Sequence, residues 1–196
     1  MAPFTGLSCD TLPRDGDGAR RAVLLAAFAG ARDPALAAWI EVHVAFGMVD
    51  RITPAVTPAD VQRLNERTGI EDEVPVYAED FIPWVVEDRF CKGRPGLEAA
   101  GVQLTDDVGA CERVKLRMRN ASHSMLPCPG LPGGYRFVHG AIADPRFAKL
   151  LRTFLDRDVI PLLDAPAGMP LARYRDTVLQ RFANPAINDQ WTGARW

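Results

Sequence analysis

The alternation of apolar and polar positions changes texture near residue 54. Before it, Phe4-Thr5-Gly6-Leu7-Ser8-Cys9 reads as a short buried strand and Leu12 to Gly18 as a Gly/Asp loop. A helix follows over about 19–29. Asp33 caps a second helix with Pro34 at its first position and Leu36, Ile40 and Val44 on one face. Residues 42–52 turn extended and stop at Thr53-Pro54. Strand, loop, helices and strand again is the rhythm of the edge of an α/β sheet.

After Pro54 the pattern turns helical. Thr57-Pro58-Ala59-Asp60 opens a helix to about Thr68 that Gly69 closes, and Phe81 to Phe90 reads as a short aromatic helix stopped at Gly93-Arg94-Pro95. Thr105 or Asp106 caps a longer helix to about Met125, ended by Pro127 and Pro129. Asp144-Pro145 starts another through Leu155, continuing over Val159 to Leu163, and Leu171 to Phe182 is the last. No period-2 alternation follows residue 60. The fold class is therefore mainly α, a fragment of sheet followed by an all-helical domain, with the boundary near 54 to 60.

Composition narrows the partners. In 196 residues, 23 basic and 25 acidic side chains leave a net charge of −2, with no Lys/Arg cluster, so nucleic acid is excluded as a partner. The basic residues are arginine except Lys92, Lys115 and Lys149, which singles those three out, because a desolvated lysine titrates near neutrality and an arginine does not. Cys9, Cys91, Cys111 and Cys128 include no C-x-x-C pair, which points to free thiols in a reducing cytoplasm and to neither a zinc knuckle nor a redox motif. No apolar run approaches the roughly 20 residues that cross a bilayer. Arg20-Arg21 before Ala22 to Ala31 imitates a twin-arginine leader, but Asp10, Asp15 and Asp17 precede it.

Three polar residues on the 106–125 helix are candidates for chemistry. At 100° per residue Lys115, Asn120 and His123 fall at about 0°, 140° and 80°, on one side of a regular cylinder. They offer an acid/base, an amide donor for a developing alkoxide and a second donor for a hydroxyl. A solvated Lys115, with Asn120 and His123 capping the helix end, is the alternative. Asp50, with Val49 before it, stands at a strand end, where open α/β sheets place ligands; an Asp50–Arg51 charge pair is the alternative there. Ser122 and Ser124 form no nucleophile elbow, Gly6, Gly16 and Gly18 form no G-x-G-x-x-G, and His43 and His139 have no metal-ligand spacing.

Eight ordered motifs then carry a resemblance. They are Ser8-Cys9-Asp10, Met48-Val49-Asp50-Arg51-Ile52-Thr53-Pro54, Glu87-Asp88-Arg89-Phe90, Gly93-Arg94-Pro95, Gly101-Val102-Gln103, Lys115-Leu116-Arg117, Asn120-Ala121-Ser122-His123 and Arg181-Phe182-Ala183-Asn184-Pro185. In this order they resemble the long-chain polyol (mannitol) dehydrogenase family, and Gly134-Tyr135-Arg136-Phe137-Val138-His139 is similar to its mannitol 2-dehydrogenase branch. Fructuronate reductases and arabinitol dehydrogenases share most of them. The resemblance implies NAD- or NADP-dependent, metal-free oxidation of a secondary alcohol of a polyol, D-mannitol to D-fructose, in the cytoplasm and away from membranes. Lys115 then stands at the general acid/base, Asn120 and His123 at the residues that hold the reacting oxygen and substrate hydroxyls, and Asp50 at the carboxylate near the lysine, with Val49 and Thr11 also facing substrate.

The same resemblance sets expectations for the departures. Thr11 replaces an asparagine that completes the oxyanion site, Arg119 stands at an apolar position, Ala121 replaces a glycine, and Phe46-Gly47-Met48 stands for Phe-Pro-Asn-x-Met. Residues 1–54 correspond to a remnant of the Rossmann-type dinucleotide-binding domain and 55–196 to an incomplete helical substrate domain. Asp189-Gln190 still matches, whereas Trp191 to Trp196 do not, and Arg195 is displaced from a substrate-binding arginine. Without a Gly-rich pyrophosphate loop, the expectation is weak NAD binding and little dehydrogenase activity for this chain alone. A non-catalytic helical interaction module and an incomplete gene product are the competing expectations. An exposed apolar edge before residue 54, open to a covering partner, is expected in each case.

Overall fold

The computed structural model describes residues 5–9, 14–30, 33–187 and 189, and the chain folds as two compact units. The first comprises Met1–Asp50, Ile82–Leu116 and Leu163–Pro170, and the second Arg51–Phe81, Arg117–Leu162 and Leu171–Trp196.

In the first unit, β1 (Gly6–Leu7) pairs in parallel with β2 (Val44–Ala45), joined through α1 (Asp15–Gly30) and α2 (Pro34–His43). Asp33 caps α2 through its carboxylate, which accepts from the N–H groups of Ala35 and Leu36, and Pro34 occupies the first turn, where its missing N–H costs nothing. Val23 and Leu25 of α1 and Leu36 of α2 are exposed, the apolar edge that the sequence predicts.

A second sheet corrects the helical expectation for residues beyond 60. Its strands β3 (Gly47–Val49), β4 (Trp84–Glu87) and β5 (Gln103–Thr105) are ordered β3-β4-β5, with β3 antiparallel and β5 parallel to β4. The stretch 81–90 is thus a strand at its centre and not an aromatic helix. Trp84-Val85-Val86 is a short apolar run of strand-favouring residues, and period alone does not separate such a run from a buried helical turn. Val85 and Val86 are both buried, so neither face of β4 shows polar alternation. Val85 joins Met48, Val108 and Cys111 in a core cluster flanked by Phe46 and Met169. Gly47 is required by close approach, since a Cβ there would stand 2.7 Å from the Ser8 carbonyl oxygen.

The second unit is helical. It holds α3 (Pro58–Thr68), α5 (Ala121–Met125), α6 (Pro127–Gly130), α7 (Val138–Ile142), α8 (Pro145–Phe154) and α9 (Leu171–Phe182); α4 (Val108–Val114) belongs to the first unit. The helix opened at Thr57 starts with a capping box, Asp60 N–H donating to the Thr57 hydroxyl and Thr57 N–H to the Asp60 carboxylate, and Gly69 ends α3 at φ 69°. α7 packs on α8 and α9, and Leu151 and Leu155, four residues apart, are both buried. Where the helix is expected to continue over Val159 to Leu163, α8 is followed by a π turn (Leu155–Val159) and a 3₁₀ turn (Ile160–Leu162).

The cap of α8 carries a pH dependence. Asp144 accepts from the Arg146 guanidinium, from the Arg146 backbone N–H and from the Tyr135 hydroxyl, and these partners, Arg146 first, hold its carboxyl well below the usual carboxylate range. A carboxyl whose folded pKa is depressed contributes stability above its unfolded pKa of about 4 and loses that contribution as pH falls toward the folded value. Urea denaturation of Asp144→Asn is expected to show a stability deficit at pH 7 that narrows below about pH 4. A deficit independent of pH across that window contradicts the assignment.

Candidate active site

Lys115 is placed by the helix that carries it. α4 packs on β3 and β4 through Val108, Cys111 and Val114, and Lys115 continues the same stripe seven residues after Val108. The lysine is accordingly only 7% exposed, which removes the solvated-lysine alternative. Asp50 follows β3 directly, donates its backbone N–H to the Pro83 carbonyl at 3.1 Å and is 1% exposed, so a buried carboxylate and a buried ammonium belong to the same compact unit. Val49, half-buried, lies opposite Trp84 on β4.

The helix changes pitch at the lysine. Lys115–Asn120 is a π segment between α4 and α5, so the regular 100° geometry does not apply between Lys115 and Asn120. Such π insertions recur at functional sites because the extra residue re-aims side chains.

Asn120 and His123 belong to the second unit. The Asn120 side-chain oxygen accepts from the Arg119 guanidinium at 3.2 Å, which turns the amide NH₂ the other way, as a donor. Arg119, a departure from the family pattern, thereby orients a candidate site residue. His123 Nε2 lies 3.1 Å from Asp189 Oδ2, with the Phe182 ring edge-on at 6.1 Å. Ser122 and Ser124 donate to the backbone carbonyls of Met118 and Asn120, one turn back, and are committed to the helix. Thr11, and Gln190 to Trp196 with Arg195, lie outside the described residues.

Other candidates resolve as structural. His43 Nδ1 lies 2.6 Å from the Trp39 carbonyl and its ring stacks on the indole at 4.4 Å. Burial, then the charge of Asp107, pushes the Cys111 thiol up, which keeps it protonated. Among the described residues no three metal-ligating side chains converge, and no helix is long and apolar enough to cross a membrane.

Sequence reasoning gave no role to three buried or paired carboxylates. Glu112, one turn before Lys115, accepts the backbone N–H of Arg14 at 2.9 Å. Glu79 pairs with Arg181 inside the second unit, and Asp189 pairs with His123. Only Glu112 had a local signal, its position on the buried stripe of α4; the other two depend on chain segments distant in sequence.

Beside β1 and beyond its carboxyl end, a cleft of about 610 Å³ is lined by Gly6, Leu7, Ser8, Cys9, Ala19, Val23 and Val44. Parallel sheets of doubly wound proteins bind ligands outside such carboxyl ends.

Comparison with known proteins agrees with the motif order. The family model for the mannitol dehydrogenase Rossmann domain matches residues 1–99, and that for the mannitol dehydrogenase C-terminal domain matches residues 107–193. A polyol:NADP oxidoreductase of Gluconobacter oxydans (strain 621H) is 52% identical over 95% of this chain and 39% of its own length. A mannitol 2-dehydrogenase of Phaeosphaeria nodorum is 42% identical over 97% of this chain and 34% of its own length. The chain therefore spans between a third and two fifths of these relatives. Among solved structures, a substrate-free D-sorbitol dehydrogenase superposes with TM-score 0.85 at 50% identity, covering 95% of this chain and 39% of that one. The ternary complex of Pseudomonas fluorescens mannitol 2-dehydrogenase with NAD and D-mannitol superposes with TM-score 0.76 at 44% identity, covering 95% and 38%. With both family models matched in order and together spanning most of its residues, the chain belongs to the mannitol dehydrogenase family.

Proposed function

We propose that this chain carries the substrate-handling part of a cytoplasmic polyol oxidoreductase, which oxidises a secondary alcohol of D-mannitol to give D-fructose with NAD or NADP. The observation that carries the reading is Lys115, a lysine buried at the start of a π segment in the same unit as the buried Asp50. A desolvated lysine exchanges a proton near neutral pH, the property a general base for an alcohol needs.

The residues fit the reacting end of a nicotinamide coenzyme. The cleft beyond the carboxyl end of β1 offers Ser8 and Cys9 to hold it, whereas this sequence contains no Gly-rich turn for the pyrophosphate. The coenzyme, when bound, accepts the hydride from the carbinol carbon. Lys115 Nζ takes the hydroxyl proton in that direction and returns it in the reverse one. The Asn120 NH₂ donates to the oxygen as it gains charge, and His123 holds a neighbouring hydroxyl. Asp50, buried in the same unit as Lys115, and Val49 beside it are the further substrate-side residues of this reading. The free thiols of Cys9, Cys91, Cys111 and Cys128 support a reducing compartment. Exposed Val23, Leu25 and Leu36 support a further protein segment covering the first unit.

The test is a chimaera in which this chain replaces the matching stretch of the Gluconobacter oxydans relative. Polyol-dependent formation of reduced coenzyme is expected, with mannitol, sorbitol and arabinitol compared. A folded chimaera that binds the coenzyme and oxidises none of them overturns the reading.

A further inference from the structure

We infer that Asp189 is a positioning residue that sets the tautomer and orientation of His123. Its Oδ2 lies 3.1 Å from His123 Nε2, and the two side chains are 25% and 16% exposed. That partial burial weakens the competition from water for the same hydrogen bond. A neutral imidazole carries one hydrogen, on either ring nitrogen, and a carboxylate only accepts. Beside Nε2 it therefore selects the form with hydrogen on Nε2, which makes Nδ1 the acceptor nitrogen.

Two further contacts give the pair a fixed geometry. The backbone carbonyl of Asp189 accepts the N–H of Val138 at 3.0 Å, tying the segment that bears the carboxylate to the start of α7. The Phe182 ring meets the imidazole edge-on, with a 72° interplanar angle, and limits its rotation. His123, Val138, Phe182 and Asp189 all belong to the second unit, so the arrangement is internal to one compact body. A mobile surface pair would show neither the backbone tie nor the packed ring.

The inference rests on the polyol-oxidising reading only for what His123 holds; the pairing itself is measurable in this chain without turnover. Nitrogen-15 spectra of its three histidines, with His123→Gln for assignment, report which ring nitrogen bears hydrogen. At about pH 8.5, some two units above the ordinary histidine pKa, the His123 signals are expected to show hydrogen on Nε2. Asp189→Ala is expected to raise the Nδ1–H share from nearly none toward the minority share of a free imidazole, and Asp189→Glu to restore the native pattern, with backbone amide spectra unchanged. An Nδ1–H form in the unsubstituted chain, or the same Nε2–H signals in Asp189→Ala, overturns the inference.

The kinetic arm uses the chimaera. There Asp189→Ala is expected to lower kcat/KM roughly 10- to 100-fold, the size of one lost hydrogen bond to a charged group, mostly through KM. An unchanged KM and kcat in an active chimaera rejects the positioning role. A parent chimaera that is itself inactive counts against the polyol reading, and the nitrogen-15 result then decides the Asp189 assignment alone.

Discussion

Replacing Lys115 with alanine in the active chimaera is expected to lower kcat about 100- to 10,000-fold while leaving coenzyme binding intact. On the proposed reading, removing the side chain deletes the proton acceptor, so the alcohol must lose its proton to water as hydride departs. Coenzyme affinity is set elsewhere, and its persistence separates lost chemistry from a lost fold. Small primary amines supplied in solution are expected to restore part of the rate to Lys115→Ala, more effectively as amine basicity rises, because the vacated site admits a replacement base. Lys115→Arg provides the sharper contrast. It keeps the charge and most of the volume, but a guanidinium stays protonated above about pH 12 and accepts no proton, so this variant is expected to be as slow as alanine and not rescued. Full activity in either variant removes Lys115 from the chemistry and favours an interaction module in which the lysine is silent.

Glu79→Ala is expected to be the most damaging substitution for stability, at roughly 3–5 kcal/mol. Glu79 and Arg181 are buried with side chains only 2% and 5% exposed, and the pair is bidentate, with Arg181 Nε at 3.0 Å and an Arg181 terminal nitrogen at 2.6 Å from the two carboxylate oxygens. The same carboxylate accepts the Ile52 N–H at 2.6 Å, the Glu79 carbonyl accepts Arg51 Nε at 2.7 Å, and Arg181 lies over the Phe81 ring at 4.4 Å. Alanine leaves a buried guanidinium without this carboxylate and a buried N–H without its acceptor, and both lose a partner while staying out of water. In a chain of this size each kcal/mol shifts Tm by about 2–4 °C, so a fall of roughly 6–20 °C is expected in a thermal melt. The double substitution Glu79→Met with Arg181→Met is expected to be milder, since it removes both charges and retains volume. A fall below about 3 °C for Glu79→Ala would show that water reaches the pair.

The two predictions differ in how far the sequence announced them. Lys115 was legible because lysine is scarce here and because a regular helix puts it on one side with Asn120 and His123. Local periodicity also located the caps at Asp33, Thr57 and Asp144, whose partners lie within three residues. It failed for β4, where Trp84-Val85-Val86 is too short for its period to be read. It failed again at Lys115–Asn120, since nothing in Lys-Leu-Arg-Met-Arg-Asn distinguishes a π segment from an α turn. Glu79 and Arg181 are separated by 102 positions, and no pattern local to either one points to the other.

By itself the sequence determined the family, through motifs in a fixed order, and the identity of the side chains able to exchange protons or donate to an oxygen. Tertiary structure alone decided which of those side chains leave water and which meet a partner. Lys115 and Asp50 are buried because α4 and β3 come together in the first unit, and His123 is oriented because the chain returns with Asp189 after the whole of α9. The physical reason is range. Capping and amphipathic order are settled within a turn or two of chain, whereas desolvation and the pairing of charges depend on whatever distant segment packs against the site.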